Sequence, residues 1–314
     1  MSNTAIWCRR FEVPEEILQI ENTDTEALKE NYIRVKMNLS PINASDLIPV
    51  TGAYGHRITP PFIVGYEGVG EVLVATGKWS HLKGRRVLPL RGPGTWQSIV
   101  DCNAELAIPV PTNISDELAA RAYINPLAAL MMLRFFPVKG KRVLLTAAGS
   151  DCALYLGQWA IRFGAKSVAG IHRSPIHHKK ISSCGILPIS QDDLSAIQHY
   201  SSMSDVVYDA TGGDLAELIL NHLPKVSKFI GYGSLSGEPY KQALYHPSVT
   251  WFHLRNYLDR IPVQQWQSLF LEIWPLIRCS LSNATYTYPI SSWKDALKLY
   301  KTPGRIIKPM LKIS

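Results

Sequence analysis

One stretch, Lys141–Ser174, reading KRVLLTAAGSDCALYLGQWAIRFGAKSVAGIHRS, limits the fold more than any other part of the chain. A short apolar run, Val143 to Leu145, meets a turn of small residues, Ala147, Ala148, Gly149 and Ser150. A helical stretch follows, and Gly164-Ala165 stops it ahead of a second apolar run, Val168 to Ile171. The pattern predicts a βαβ unit, whose strands lie parallel in a sheet covered on both faces. In a dinucleotide-binding unit of this kind, backbone N–H groups and the helix dipole hold a pyrophosphate at the helix N-terminus. The end of the second strand then selects the cofactor. An Asp or Glu there bonds the ribose 2′-OH of NAD, whereas cations suit the 2′-phosphate of NADP. Here the strand ends in His172, Arg173 and Ser174, with no acid, and the expected cofactor is NADPH.

The fingerprint departs from G-x-G-x-x-G. In register stand Gly149, then Ser150-Asp151, then Ala153. Alanine is small enough for close helix–strand packing. Asp151 sets a carboxylate near the phosphate position, or serves only to cap the helix. Many α/β folds contain such a unit without a cofactor, so the turn alone leaves both readings open.

The chain has 314 residues, 46% of them apolar and 18% charged. That suggests two domains, on a prior of roughly 150 residues each. No run approaches the ~20 apolar residues that span a bilayer. Polar and acidic residues occupy the N-terminus where a signal peptide has its apolar core, and the five cysteines are scattered without a C-x-x-C. A reducing, cytoplasmic location is the expectation. The formal charge of +8 is spread over Arg9-Arg10, Lys83 to Arg86, Lys179-Lys180 and Arg305. With no basic run interleaved with aromatics, no nucleic-acid partner is expected.

Residues 1–124 read as β-rich. Strands are expected at Ile33–Met37, Phe62–Val64, Gly70–Val74, Arg86–Leu90 and Trp96–Asp101, with Ser115 as the N-cap of a helix. Residues 125–262 alternate strands and helices. There Asp205–Gly213 and Lys228–Gly237 are apolar strands ending in glycines, which place Gly212 and Gly233 near a ligand. Helices are expected at Val249–Leu258, Val263–Ile277 and Trp293–Tyr300, and a last strand at Arg305–Ile313. Residues 263–314 are expected to return to the first domain.

Several short segments, Asn43-Ala-Ser-Asp46, Gly65-Tyr-Glu-Gly68, Asn125-Pro126, the Ala147–Ala153 turn, Gly231-Tyr-Gly233 and Gly304–Leu311, share an order and spacing. In this the chain resembles the medium-chain dehydrogenase/reductase superfamily. The resemblance implies an α/β protein with a GroES-like β-rich catalytic domain and a Rossmann domain with a doubly wound parallel sheet. Zinc members carry a Cys near the position of Ala44 and a His at that of Tyr66, and a catalytic zinc needs three such ligands. Both are absent, so the resemblance is to the zinc-independent branch, and no metal site is expected.

Zinc-free members include quinone oxidoreductases and mitochondrial-type enoyl-thioester reductases. Tyr54, eleven residues after Asn43 in the segment GAYG, resembles the catalytic tyrosine of the enoyl reductases. Gly94-Thr95-Trp96 resembles their Gly-Thr-Trp. The family implies Tyr54 as donor to the developing enolate and Asn43 as an orienting amide, with Trp96 and Tyr66 lining the substrate. It implies Ala148, Gly149, Ser150 and Asp151 at the pyrophosphate, His172, Arg173 and Ser174 at the 2′-phosphate, and Lys308 as a further cation. On the residues alone, Tyr54 also reads as a turn-packing residue, Asn43 as an Asx-turn and Lys308 as a solvated strand residue. The expected function is NADPH-dependent reduction of an activated C=C in an enoyl or quinone-like small molecule. A metal-free alcohol/ketone dehydrogenase and a weakly catalytic NADPH-binding protein are the rivals. Ala128, where relatives carry a Thr, and Asp151 keep the second rival open. Relatives pair through an edge strand, which implies a homodimer joined near Lys228–Ser236.

Overall fold

Apolar residues alternate along Tyr32–Pro41, and Ile33, Val35 and Met37 are wholly buried there, as a strand with one face on a core requires. The computed structural model describes residues 1–241, 247–258 and 260–313. Residues 242–246 and 259, inside the expected middle domain, and 314 lie outside the described residues. The chain divides into two units. One comprises residues 1–124, 262–278 and 283–314, and the other residues 125–261 and 279–282.

The first unit opens with β1 (Ser2–Cys8) and β2 (Gln19–Asp24), followed by β3 (Tyr32–Pro41), β4 (Phe62–Ile63) and β5 (Val69–Val74). Then come β6 (Arg86–Pro89), β7 (Ile99–Asn103) and β8 (Ala107–Pro109). The order β2-β1-β4 makes a small antiparallel sheet. Ser115 caps the helix Asp116–Ala119 as expected, its Oγ accepting from Leu118 N at 3.3 Å.

The second unit holds β9 (Arg142–Leu145), β10 (Ser167–His172), β11 (Leu187–Ser190), β12 (Val206–Asp209), β13 (Lys228–Gly231) and β14 (Val249–Trp251). All pair in parallel in the order β11-β10-β9-β12-β13-β14. Numbered within the unit, that is 3-2-1-4-5-6, the Rossmann order, with its switch point between β9 and β12. All four residues of β12 and five of the six in β10 are buried, as a sheet covered on both faces demands. Leu144, Ile171, Val207 and Phe229 pack with Ala216 and Ile219 of the helix Gly213–His222.

The chain then returns to the first unit. Helix Val263–Arg278 leads to β15 (Ala284–Pro289), helix Trp293–Lys301 and β16 (Ile307–Lys312). β16 pairs antiparallel with β3 and completes a sheet of order β15-β16-β3-β5-β6-β8, with β7 also on β3. Trp96, Leu297 and Leu311 join the β3 side chains in its core. Among the described residues, no helix is long and apolar enough to cross a membrane.

Two expectations are corrected. Val249–Leu258 is not one helix: Val249–Trp251 is strand β14 against Phe229–Gly231, and only Arg255–Leu258 is helical. A short apolar run has no periodicity that separates helix from strand, and here sheet pairing decides. The edge strand is also displaced. β13 lies inside the sheet, and among the described residues β14 is the edge strand beyond it, where Trp251 stacks on Tyr240 at 5.8 Å.

Gly170 of β10 lets the strand pass under the β9 turn, since a Cβ there would lie 2.6 Å from the Ala148 methyl. Gly170→Ala is expected to cost about 1–3 kcal/mol by overpacking. Urea denaturation measures it, and an unchanged midpoint would show that the turn yields freely.

Candidate active site

In the first unit the site grows from the end of β3. Asn43 follows it in an extended conformation and starts the helix Ala44–Leu47. Asp46, in that first turn, reaches back so that its Oδ2 accepts from Asn43 N at 2.7 Å, as the acidic partner of a capping box does. Its Oδ1 accepts from Tyr66 N at 2.9 Å. Glu67 Oε1 accepts from Asn43 Nδ2 at 2.7 Å, and Oε2 from the backbone N–H groups of Tyr123 (3.1 Å) and Ile124 (2.8 Å). Lys308 Nζ donates to Asn43 Oδ1 at 2.6 Å. Ser40 and Thr95 hydroxyls both reach the Glu67 carbonyl, at 2.5 and 2.8 Å.

Asn43, Asp46, Glu67 and Lys308 are 5%, 1%, 1% and 3% exposed. Burial pushes the Asp46 carboxyl up to about 7, against the pull of its two amide donors, and the Glu67 charge adds to the rise. Burial raises Glu67 as well, while the Lys308 charge lowers it. Asn43 is therefore more than a local cap at the strand end. Both ends of its carboxamide are bonded inside the unit. Lys308 is not a solvated strand residue either, since its ammonium lies in this cluster.

Tyr54 sits on an arm that grows from the same base. After Ala44–Leu47 come a 3₁₀ turn, Ile48–Thr51, and Gly52 at φ +85°. Gly55 N donates to Gly52 O at 2.9 Å, and Arg57 and Ile58 N–H donate to Tyr54 O at 2.8 and 3.0 Å. Tyr54 is half-buried, edge-on to His56 at 6.3 Å between ring centres. Tyr66 is also half-buried. Trp96 is fully buried, and its indole N–H donates to Pro41 O at 3.3 Å. Its ring stands under Gly65, where φ is +97° and a Cβ would lie 2.4 Å from Trp96 Cδ1. Only glycine fits there, and Trp96 thereby fixes the backbone leading into Tyr66.

In the second unit the β9 turn passes through Ala147 at φ +48°, and Ala148 N donates to Ile171 O at 2.9 Å. Ser150, not Asp151, caps the helix Asp151–Arg162, its Oγ accepting from Ala153 N at 3.3 Å. Asp151 is the first helical residue and is buried. His177, which sequence reasoning missed, covers Gly149: a Cβ on that glycine would lie 2.6 Å from the ring.

At the end of β10, His172 is 3% exposed, and neither ring nitrogen makes a well-formed hydrogen bond. It lies edge-on to His178 at 5.6 Å. Burial first, then the neighbouring His178, lowers its pKa. Arg173 is exposed and Ser174 half-buried, so Arg173 is the solvent-facing cation of this trio.

Asp209 was also missed. Fully buried at the end of β12, its Oδ1 accepts from Thr146 Oγ1 (2.6 Å) and Thr211 N (3.0 Å), and its Oδ2 from Gly212 N (2.9 Å). It holds Gly212 at φ +71°, and Gly233 passes so near Ala210 that a Cβ would lie 3.0 Å from its carbonyl. An acid closing an apolar strand, DVVYDATGG, was the available signal.

A small-residue turn at a helix N-terminus and an exposed Arg173 with no acid beside it fit a dinucleotide bearing a 2′-phosphate. The Asp151 carboxylate is the one feature that opposes the phosphates. Among the described residues, no three His, Cys, Asp or Glu side chains group as metal ligands.

The alcohol dehydrogenase GroES-like domain model matches residues 29–112. The mitochondrial enoyl-[acyl-carrier-protein] reductase of Rattus norvegicus is 28% identical over 239 residues, 72% of this chain and 64% of that protein. The chain thus spans less than two thirds of that relative. The Homo sapiens protein of the same name is 25% identical over 311 residues, covering 92% of this chain and 83% of its own. A crystal structure from Bacillus thuringiensis that bears the name NADPH:quinone reductase superposes with a TM-score of 0.90 at 29% identity, over 99% of both chains.

The raised carboxyl of Asp46 sets a sign for stability against pH. The unfolded chain releases this proton near 3.8 and the folded chain near 7. Between those values the folded state holds the extra proton, so this group's contribution falls as pH rises from about 4 to about 7. Asp46→Asn should flatten that slope in melting curves taken across the interval. An unaltered slope would exclude Asp46 as its source.

Proposed function

We propose that this chain, a member of the zinc-independent branch of the medium-chain dehydrogenase/reductase superfamily, is an NADPH-dependent reductase of activated C=C bonds in small enoyl or quinone-like molecules. The observation that carries the reading is the Rossmann-order sheet, whose first strand ends in the small-residue turn and whose second ends at exposed Arg173. The names of the rat, human and Bacillus relatives support the reaction class.

Bound NADPH supplies the hydride for the β-carbon of the acceptor. The chain's residues do the rest. The start of helix Asp151–Arg162 holds the pyrophosphate, with Ala148, Gly149 and Ser150 shaping the turn that leads into it. Asp151 weakens that grip and leaves room for tuning. Arg173 forks onto the 2′-phosphate with Ser174 beside it, while the buried His172 ends the strand before them. Gly212 and Gly233 let the backbone approach the dinucleotide. As negative charge gathers on the acceptor's carbonyl oxygen, the Tyr54 phenol donates a hydrogen bond or the proton. Tyr66 lines the acceptor, with Trp96 bracing it from beneath through Gly65. Asn43 and Lys308 act from inside the unit rather than on the acceptor.

The chain works as a homodimer joined along the β14 edge, where Trp251 is 57% exposed. Its five free cysteines suit the cytoplasm, although the enoyl reductase relatives are mitochondrial by name.

Incubation with NADPH and a panel of enones, enoyl thioesters and quinones tests the reaction. Saturated carbonyl products from the enones and enoyl thioesters, or hydroquinones from the quinones, support it, and reduction of the enone carbonyl to an allylic alcohol in their place overturns it. Tyr54→Phe should lower turnover by about 10²–10⁴-fold if the phenol is the acid, and an unchanged rate removes it from the mechanism. Arg173→Ala should weaken NADPH binding far more than NADH binding by calorimetry. Equal losses would refute the 2′-phosphate assignment.

A further inference from the structure

The reaction makes no direct use of Asp46, yet its carboxylate ties two parts of the site together. Oδ2 holds the N–H of Asn43, and Oδ1 holds the N–H of Tyr66. From Asn43 to Ile58 the chain is a continuous series of hydrogen-bonded turns with Tyr54 in the last of them. Such an arm has no slack segment, so a shift at its base carries to Tyr54. The base is held a second time, because the Asn43 carboxamide is strung between Glu67 Oε1 and Lys308 Nζ. Glu67 is the next residue after Tyr66, so both tyrosine-bearing segments end on the same buried cluster.

We propose that Asp46 is a positioning residue that sets Tyr54 and Tyr66 relative to one another, with Glu67 and Lys308 steadying the base through Asn43. What the two tyrosines then do to an acceptor rests on the reductase reading, but the clamp itself does not. The requirement for a carboxylate is chemical. Two N–H groups converge on Asp46, and once ionised, above about pH 7, it offers two acceptor oxygens in one rigid plane. Asparagine has the same shape but one acceptor, so its NH₂ must face one of the two amides. That amide is then buried without an acceptor, and its segment moves away or the pair is strained. Glutamate keeps both acceptors at a longer reach.

The test uses the full chain labelled with 3-fluorotyrosine. The ¹⁹F signals of Tyr54, Tyr66 and Tyr200, a residue of the other unit, are assigned from their Tyr→Phe variants. In Asp46→Asn, the Tyr54 and Tyr66 signals should move or broaden together while Tyr200 stays in place. Movement of one alone, or of neither, in a variant that retains the wild-type circular dichroism overturns the clamp. A merely structural role would lower the melting temperature without the paired shift. Should Asp46→Asn fail to fold, Lys308→Arg gives the same readout, because it keeps the charge and relocates the donor to Asn43.

With crotonyl-CoA or a quinone as acceptor, kcat should fall by about 10- to 100-fold in Asp46→Asn, as misplacement of a reacting group on the ångström scale does. NADPH affinity should remain within about twofold, since the lost interaction acts on the reacting step. Asp46→Glu should return part of the rate. An unchanged kcat alongside a raised KM would mean that Asp46 affects only acceptor binding and would also overturn the proposal. The ¹⁹F measurement needs no turnover. A chain that reduces nothing in the panel would end the reductase reading and still leave the clamp decided by its own signals.

Discussion

Everything in the first unit is arranged around two carboxylates that have left water. A buried charge is costly unless donors and an opposite charge compensate it. Glu67 meets Asn43 and two backbone N–H groups, Asp46 meets two more, and Lys308 supplies the cation. These contacts draw in the end of β3, the start of the Tyr54 arm, the segment before β5, the last residues ahead of Asn125 and the C-terminal strand. Lys308 lies 265 positions from Asn43 in the chain. Removing one partner would leave buried polar groups of the others without a hydrogen-bond partner, so the cluster holds these segments as a set.

The second unit meets its constraint by steric means. Its parallel sheet is covered on both faces, so close approach is available only where side chains are small. Gly170 passes under Ala148, and His177 covers Gly149. Asp209 repeats in this unit the device used in the first. A buried carboxylate bonds the backbone just past its own strand and so shapes a turn at the sheet's carboxyl end. Ligands bind at that end of an open α/β sheet.

Local patterns in the chain were legible where local rules govern. The βαβ unit of Lys141–Ser174 stands as Arg142–Leu145, Asp151–Arg162 and Ser167–His172, because apolar runs, a small-residue turn and a glycine stop all act over a few residues. Ser115 caps its helix for the same reason. Val249–Trp251 escaped, since whether a three-residue apolar run is strand or helix depends on a neighbour some twenty positions away. The strands Ser2–Cys8, Gln19–Asp24 and Ala284–Pro289 escaped similarly. Gln19–Asp24 and Ala284–Pro289 lie at sheet edges and Ser2–Cys8 lies between two short partners, and in all three mixed burial leaves no clean alternation.

The same division runs through the candidate site. The sequence by itself determined which chemical groups are available: a tyrosine on a glycine-flanked turn, an arginine where an acid would select NAD, and no Cys–His pair at Ala44 and Tyr66. It also determined the βαβ unit that carries the arginine. Only the tertiary structure decided which groups are withdrawn from solvent. Lys308, Asn43 and His172 went inward, Trp96 became a brace, and Asp46 and Asp209 became anchors for backbone amides. Burial and hydrogen-bond partnership depend on contacts between distant segments, and no pattern within one segment encodes them.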